Sequence, residues 1–313
     1  MIGYLARRAF LALVSIAVAV VLSFLLVHLT PGSPGQLILG AGATKAQIAA
    51  ENSQIGWNRP LLTQLGGYLA DVARGNLGTS IIDGHSIGHD LLERLPVTGL
   101  IAVLAAAVSA VAGTALGLLA VTRRGTADRA IDTTSGIALS LPPFWTGVLL
   151  VYALSIEAGL LPATGYVSPA QSLTGWLESI TLPVIALAIP ATAIVARTAR
   201  AALAQALGQP HIQMLRSMGV PPRRLLLIHA LRSASVPVVS VLGVQFVALF
   251  SGSVIIESLF GLPGLGQAAA NAITSYDFRA VEGVVIVASL VVVLVNLLLD
   301  LLVAGLDPRV RAR

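Results

Sequence analysis

Six stretches of the chain run apolar for about the length that crosses a bilayer, and the polar and charged residues collect between them. Ala9–Leu29, Pro96–Val121, Thr133–Ile156, Ser179–Ala196, Val236–Ile256 and Gly283–Leu299 carry no Asp, Glu, Lys or Arg. A helix needs roughly 20 such residues to span about 30 Å of hydrocarbon. The pattern predicts an all-α polytopic membrane protein with six transmembrane helices.

The connections are unequal. Residues 1–29 form an N-terminus and first span, and residues 30–95 form a long loop domain that opens on Pro31-Gly32-Ser33-Pro34-Gly35 and holds a helical patch at Leu61–Val72. Residues 96–305 form a five-helix core that contains the basic loop 197–235, and residues 306–313 form a tail. The first span follows Arg7 and Arg8 as a signal peptide would. Its apolar run is too long for an h-region and no small-x-small cleavage site follows, so it reads as a retained anchor.

With the N-terminus inside, six crossings return the C-terminus to the cytoplasm. Arg7, Arg8, Arg123, Arg124, Arg129, Arg197, Arg200, Arg216, Arg223, Arg224, Arg232, Arg309, Arg311 and Arg313 then fall inside. Lys45, Arg59, Arg74, Arg94 and Arg279 fall outside. Among the acids, Asp128, Asp132, Asp300 and Asp307 lie at or near the inside and the rest outside. This asymmetry is the positive-inside rule, and it accounts for the net charge of +5 and the pI near 10.2 without nucleic acid as a partner.

Composition agrees. Hydrophobic residues make up 56% and charged residues 11%, with a mean hydropathy of +0.88, against roughly 45–50% and about 25% in soluble domains. The absence of cysteine excludes disulfides, zinc-thiolate sites and cysteine nucleophiles. Ion-coupled transporters place ionisable residues within their spans, and these spans have none at their centres, which weighs against proton or sodium coupling. Lys45 is the one lysine and follows Thr44, so the chain has no P-loop of its own and is not expected to be an enzyme. Gly261-Leu262-Pro263-Gly264-Leu265-Gly266 is rich in glycine but lacks lysine, and reads as a tight turn. His85 and His89 are four residues apart, as a two-histidine metal site would need. Gly84 and Gly88 favour solvated loop histidines instead, and no metal site is expected.

A conduit without an engine needs a partner that supplies work. Between the fourth and fifth spans a short helix is expected from about His211 to Met218, ended by Gly219 in the left-handed region, with Pro221 and Pro222 forcing a turn. Its apolar residues Ile212, Met214, Leu215 and Met218 are expected to be exposed and suit a groove on another protein, with Arg216, Arg223 and Arg224 as a rim. A basic loop resting on lipid headgroups fits the same residues, and spacing alone leaves the two open. Pro142-Pro143 in the third span and Pro183 and Pro190 in the fourth read as kinks in preference to a path lined by main chain. Gly113 and Gly117 form a small-xxx-small pair for close helix packing. Candidate residues of the translocation path are Glu257, Gln245 and Pro190. A structural hydrogen bond of Glu257 with the Gly261–Gly266 turn is an equal reading.

Arg216-Ser217-Met218-Gly219, His229-Ala230-Leu231-Arg232 and Pro237 resemble the EAA loop of permease subunits in bacterial ATP-binding-cassette importers, in the subfamily serving dipeptides, oligopeptides and nickel. Gln213-Met214-Leu215 and Pro221-Pro222 depart from the family pattern. The resemblance extends along nearly the whole chain. It includes His28-Leu29-Thr30-Pro31-Gly32-Ser33-Pro34, Asn58-Arg59-Pro60-Leu61, Arg74-Gly75-Asn76-Leu77-Gly78-Thr79-Ser80 and Arg94-Leu95-Pro96-Val97-Thr98. Further on it includes Ser140-Leu141-Pro142-Pro143-Phe144-Trp145, Glu257-Ser258-Leu259-Phe260 and Asp307-Pro308-Arg309-Val310-Arg311.

The resemblance implies the type I importer permease fold in the inner membrane. It also implies a second permease subunit, two ATP-binding subunits that hold ATP and Mg, and an extracellular binding protein. The coupling helix would be Gln209 to Val220, so that Ile212, Met214, Leu215, Arg216, Ser217, Met218, Gly219, Val220, Arg223 and Arg224 carry the contact with the ATPases. The implied solute is a dipeptide or oligopeptide, with nickel or another small solute as the alternative. A stand-alone channel is the reading from a different class.

Overall fold

The structure is a computed structural model that describes residues 2–29, 32–40, 42–123 and 125–306. Thr30 and Pro31, Arg124, and the tail with Asp307, Arg309, Arg311 and Arg313 lie outside the described residues. The elements are α1 (Ile2–Leu29), α2 (Pro34–Leu39), α3 (Lys45–Ile55), α4 (Leu61–Ala73), α5 (Ile87–Thr122), α6 (Thr126–Ser140) and α7 (Pro143–Leu150). Then follow α8 (Leu173–Leu207), α9 (Pro210–Ser217), α10 (Pro222–Arg224), α11 (Leu231–Phe260), α12 (Leu265–Thr274) and α13 (Phe278–Leu306). Val151–Glu157 after α7 and Leu225–Ala230 before α11 are π-helical.

Five of the expected spans are helices long and apolar enough to cross a membrane: Phe10–Leu29, Ile87–Thr122, Leu173–Leu207, Pro222–Phe260 and Phe278–Val303. The third is different. Asp128–Ser140 and Pro143–Glu157 meet at a bend of 102°, so the straight span expected over Thr133–Ile156 is a broken pair. Pro142 pushes Leu141 into extended backbone (φ −91°, ψ 120°), and Pro142 itself is extended (ψ 146°) before Pro143 opens a new helix. The expected kink at Pro142-Pro143 is therefore a break. In α8 the helix continues through Pro183 and Pro190.

The chain forms two contact units, and helices α5 and α13 each contribute to both. One unit comprises Thr98–Leu262 and the chain from Leu294 onward. Its hub is α8, which packs on α11, α6 and α7. Of its most apolar window 67% is buried, with Leu182, Val195, Ala199 and Leu203 fully enclosed. Close approach makes this possible: a Cβ at Gly113 would lie 2.7 Å from Val195 Cβ, and one at Gly117 2.7 Å from Ala199 Cβ. Glycines four apart thus give α8 a groove, as the sequence pair predicts.

The other unit comprises Ile2–Val97 with Pro263–Val293. Here polar side chains do the joining. The Gly35 amide donates to Asn52 Oδ1 at 2.9 Å, and Asp277 accepts from the Ser80 hydroxyl and from the Ala280 amide at 3.1 Å. His28 Nδ1 lies 2.9 Å from the Phe24 carbonyl and Nε2 3.1 Å from Gln64 Oε1, and the ring stacks on Trp57 at 4.2 Å. Gln64 Nε2 donates to the Trp57 and Arg59 carbonyls at 2.9 and 2.8 Å, which fixes the amide's orientation. Burial, and after it the Glu282 carboxylate, push the Tyr68 phenol above its ordinary value.

Candidate functional site

The segment between α8 and α11 is built by a succession of stops. Helix α8 ends at Leu207, Gln209 is extended, and Pro210 starts α9 at a position whose missing N–H costs nothing. Helix α9 closes in a Schellman motif: the Val220 amide donates to the Leu215 carbonyl and the Gly219 amide to the Arg216 carbonyl, both at 3.1 Å. Gly219 has φ +82°, as the motif requires, and a Cβ there would meet nothing within 4 Å. Backbone conformation, not crowding, selects glycine at this position. Pro221, extended at ψ 143°, then turns the chain into Pro222, the first residue of α10.

The expectation that Ile212 is exposed is corrected. Ile212 is 1% accessible, because α9 packs against α8 and against Leu225–Ala230, and an eight-residue amphipathic helix needs one apolar anchor on that side. Met214 and Met218 are exposed at 61% and 71%, Leu215 and Val220 are half-buried, and Arg216, Ser217, Arg223 and Arg224 are exposed. Thus α9 is pinned by Ile212 and presents two flexible thioethers among three guanidinium groups. Leu225 and Ala230 are buried, so the segment following α9 is anchored as well.

Two ion pairs that sequence reading did not single out tie α6 to α8. Arg200 Nη2 lies 2.6 Å from Asp128 Oδ2, and Arg197 Nε lies 3.3 Å from Asp132 Oδ1. Asp128 and Asp132 are four apart on one helix and Arg197 and Arg200 three apart on the other, spacings that put each pair on one face. That was the available signal, but nothing in the sequence showed that these two faces meet.

The path candidates are less coherent. Glu257 is fully buried in α11, and its carbonyl accepts the Leu262 amide at 2.9 Å. Gln245 and Pro190 are half-buried on α11 and α8. Gln245 and Glu257 are separated by roughly a third of a turn around α11 at 3.6 residues per turn, so they do not share a face. His85 and His89 do not share one either. His85 lies in the loop before α5, whereas His89 is in α5 and faces Glu93 at 3.2 Å, which corrects the loop expected around it.

Comparison with known proteins adds a family. Residues 98–312 match the family described as binding-protein-dependent transport system inner membrane component, and residues 1–102 match the N-terminal family of the same membrane components. Among curated relatives, the probable peptide ABC transporter permease protein y4tP of Sinorhizobium fredii is 34% identical, the alignment covering 98% of this chain and 99% of the relative. The glutathione transport system permease protein GsiC of Pectobacterium atrosepticum is 33% identical over 99% of both chains. The di/tripeptide transport system permease protein DppB of Pseudomonas aeruginosa is 29% identical, again over 99% of both. Among solved structures, an inward-facing MetNI methionine ABC transporter chain aligns with a TM-score of 0.58 at 20% identity, covering 69% of this chain and 96% of that one. At that identity the likeness concerns the fold.

Proposed function

The chain belongs to the binding-protein-dependent transport system inner membrane components, and from that premise we propose that it imports short peptides, driven by separate ATP-binding subunits that grip α9. The functions named for its relatives, peptide, di/tripeptide and glutathione transport, support a peptide over nickel as the solute. Selectivity would reside largely in an extracellular binding protein, and a second permease subunit would complete the path. ATP and Mg would be held by the ATPase subunits, since the sole lysine, Lys45, starts α3 and belongs to no phosphate-cradling loop. Both termini, α9 and the α6–α8 ion pairs would face the cytoplasm.

The observation that carries this reading is the construction of α9. It is fastened at Ile212, exposes Met214, Arg216 and Met218, and is joined by turns of only a few residues to α8 and to the continuous helical run Pro222–Phe260. Force applied to the exposed face would pass to two long helices without a flexible linker to absorb it. Closure of the ATPases would displace α9, and α8 and α11 would tilt to open the path outward. Glu257, Gln245 and Pro190 remain the proposed path residues.

Gly219 tests this. Asp tolerates the left-handed backbone better than most side chains, so Gly219→Asp alters chiefly the charge and size of the docking face. Uptake of labelled dipeptide by cells expressing Gly219→Asp at matched membrane levels should fall at least about tenfold, a loss of roughly 1.4 kcal/mol in coupling. Unchanged uptake would remove α9 from the coupling role. Purification of the wild-type chain in detergent should bring ATPase subunits with it, and nickel uptake in the same cells should be unaffected by deletion of the chain.

A further inference from the structure

Within the unit formed by Ile2–Val97 and Pro263–Val293 lies a cavity of about 240 Å³, walled by α1, α4, the Trp57 turn, the loop at Gly78 and the first turns of α13. It is a little smaller than the roughly 300–1,000 Å³ of sites for drug-sized ligands, and so suits a small solute. Its polar groups are unusual for a packed interior. Glu282 is only 7% accessible and forms no direct hydrogen bond or salt bridge with the described residues, the Arg279 guanidinium attracting it from a greater distance. The buried Tyr68 hydroxyl has no partner at full hydrogen-bond geometry among them, although the Ser23 hydroxyl, which donates to the Val20 carbonyl at 2.9 Å, lies beside it. Arg59 and Arg279 line the same cavity and form no ion pair with the described residues.

A buried carboxylate with no directly contacting partner is costly, and a site that keeps one gains when a cation arrives. A divalent metal is a poor match, since hard cations take six or more oxygens and the described residues hold no cluster of three metal-ligating side chains. An ammonium group needs less: one carboxylate, a further oxygen such as Tyr68 Oη, and apolar or aromatic walls, which Phe24 and Trp57 supply. The two guanidinium groups offer a bidentate partner for a carboxylate on the same solute. His28 does not compete for the solute, since its two ring nitrogens face the Phe24 carbonyl and Gln64 Oε1.

We propose that this cavity binds a small zwitterion, with its ammonium group on Glu282 and Tyr68 and its carboxylate on Arg59 and Arg279. A free amino acid and a short peptide share that chemistry. The assignment uses only the cavity's own residues and stands apart from the import reading.

The test is a saturation-transfer NMR titration of the full chain in nanodiscs, with its co-purifying subunits and without any soluble binding protein. Alanine, Ala-Ala and Ala-Ala-Ala serve as probes, beside N-acetyl-Ala-Ala and Ala-Ala-amide. A free zwitterion should bind saturably and at least about tenfold more tightly than either blocked peptide, a comparison that needs no variant. The order among the three free probes identifies amino acid or peptide as the source. Glu282→Gln should abolish the preference for the free ammonium while sparing that for the free carboxylate, and Arg279→Gln should do the reverse. Blocked peptides that bind as well as free ones would overturn the proposal. So would a normally folded Glu282→Gln chain that keeps its ammonium preference, or no saturable binding by any free probe. Peptide uptake in cells is scored separately: binding without uptake would count against import alone, and uptake without saturable binding against the cavity alone.

Discussion

Each contact unit is held together internally by its own chemistry. In the unit around α8 the joins are steric: Gly113 and Gly117 admit Val195 and Ala199, and much of the enclosed surface is alanine, valine and leucine. In the unit of α1–α4 and α12 the joins are directional, made by Asn52, Gln64, Ser80 and Asp277. Lipid tails are as apolar as leucine, so helices within a bilayer gain little from burying apolar side chains and must associate through close fit. Helices α2–α4 lie outside the candidate spans, and there a hydrogen bond that excludes water can fix one arrangement among many. The difference teaches that helices are joined by shape in one place and by polar pairing in the other, and each should fail in its own way.

The largest effect is expected from shape. Gly113→Ala places a Cβ 2.9 Å from the Thr192 carbonyl oxygen, and Gly117→Ala places one 2.9 Å from the Arg200 amide nitrogen. Backbone cannot swing aside as a side chain can, so each substitution should destabilise by about 1–3 kcal/mol. At Gly99, on the same helix, a Cβ would meet nothing within 4 Å, and Gly99→Ala should raise stability by up to about 1 kcal/mol through helix propensity. Thermal unfolding of the three variants in detergent checks the contrast. Equal melting temperatures for Gly99→Ala and Gly117→Ala would show that fit at this groove is not what holds α5 to α8.

Polar pairing gives the next effect. Asp277 is buried and accepts the Ser80 hydroxyl and the Ala280 amide, so Asp277→Ala should cost about 1–3 kcal/mol by leaving donors without partners. The damage should stay local. Hydrogen exchange should rise in residues 78–86 and at the start of α13, with α8 and α11 unchanged. Exchange that rises equally in α8 would mean that the two units do not fail separately.

Much of the first unit was legible because hydropathy and helical period are properties of contiguous sequence. The spans, the Gly113–Gly117 groove and the stop at Gly219 all follow from residues a few positions apart. Ile212 was misread because a short helix exposes its face or buries it according to what lies beside it, and α8 and Leu225–Ala230 are brought there by the fold. The same holds for Arg200 with Asp128, which are 72 residues apart, and for Ser80 with Asp277, 197 apart. Pro142 shows the middle case: the sequence marked an interruption, but a bend of 102° in place of a kink depends on two successive extended residues that only the structure reveals.

A smaller effect belongs to the α6–α8 ion pairs, which sit in the sterically joined unit but are themselves polar. Arg200 and Asp128 keep 43% and 24% of their side-chain surface accessible, so solvent screens much of their attraction. A double-mutant cycle with Arg200→Gln and Asp128→Asn should give a coupling of at most about 1 kcal/mol, weakening as salt is raised. A coupling as large as the loss in Gly117→Ala would mean that charge, and not fit, dominates this unit too.

The smallest effect lies in the turn at Ser80–Ser86. The Ser80 hydroxyl beside Asp83, and after it the His85 amide that donates to Oδ1 at 3.1 Å, hold this carboxyl below the usual carboxylate range. A carboxyl lowered in the folded state stabilises above its unfolded value, near 4, and that contribution disappears as pH falls through the lower folded value. Acidification from about pH 6 to about pH 3 should therefore loosen the pairing of the Ser80 amide with the His85 carbonyl, now 2.9 Å. Because Asp83 is almost wholly exposed, screening keeps the change small, and it should be confined to the turn. Hydrogen exchange of a peptide covering residues 79–87, corrected for intrinsic rates, should show this acid-dependent opening in the wild-type chain. Asp83→Asn should show a flat profile across the same range. An acid response that persists in Asp83→Asn would mean that the turn does not owe its pH dependence to this carboxyl, and the exposed turn would then be no separate weak point of the polar unit.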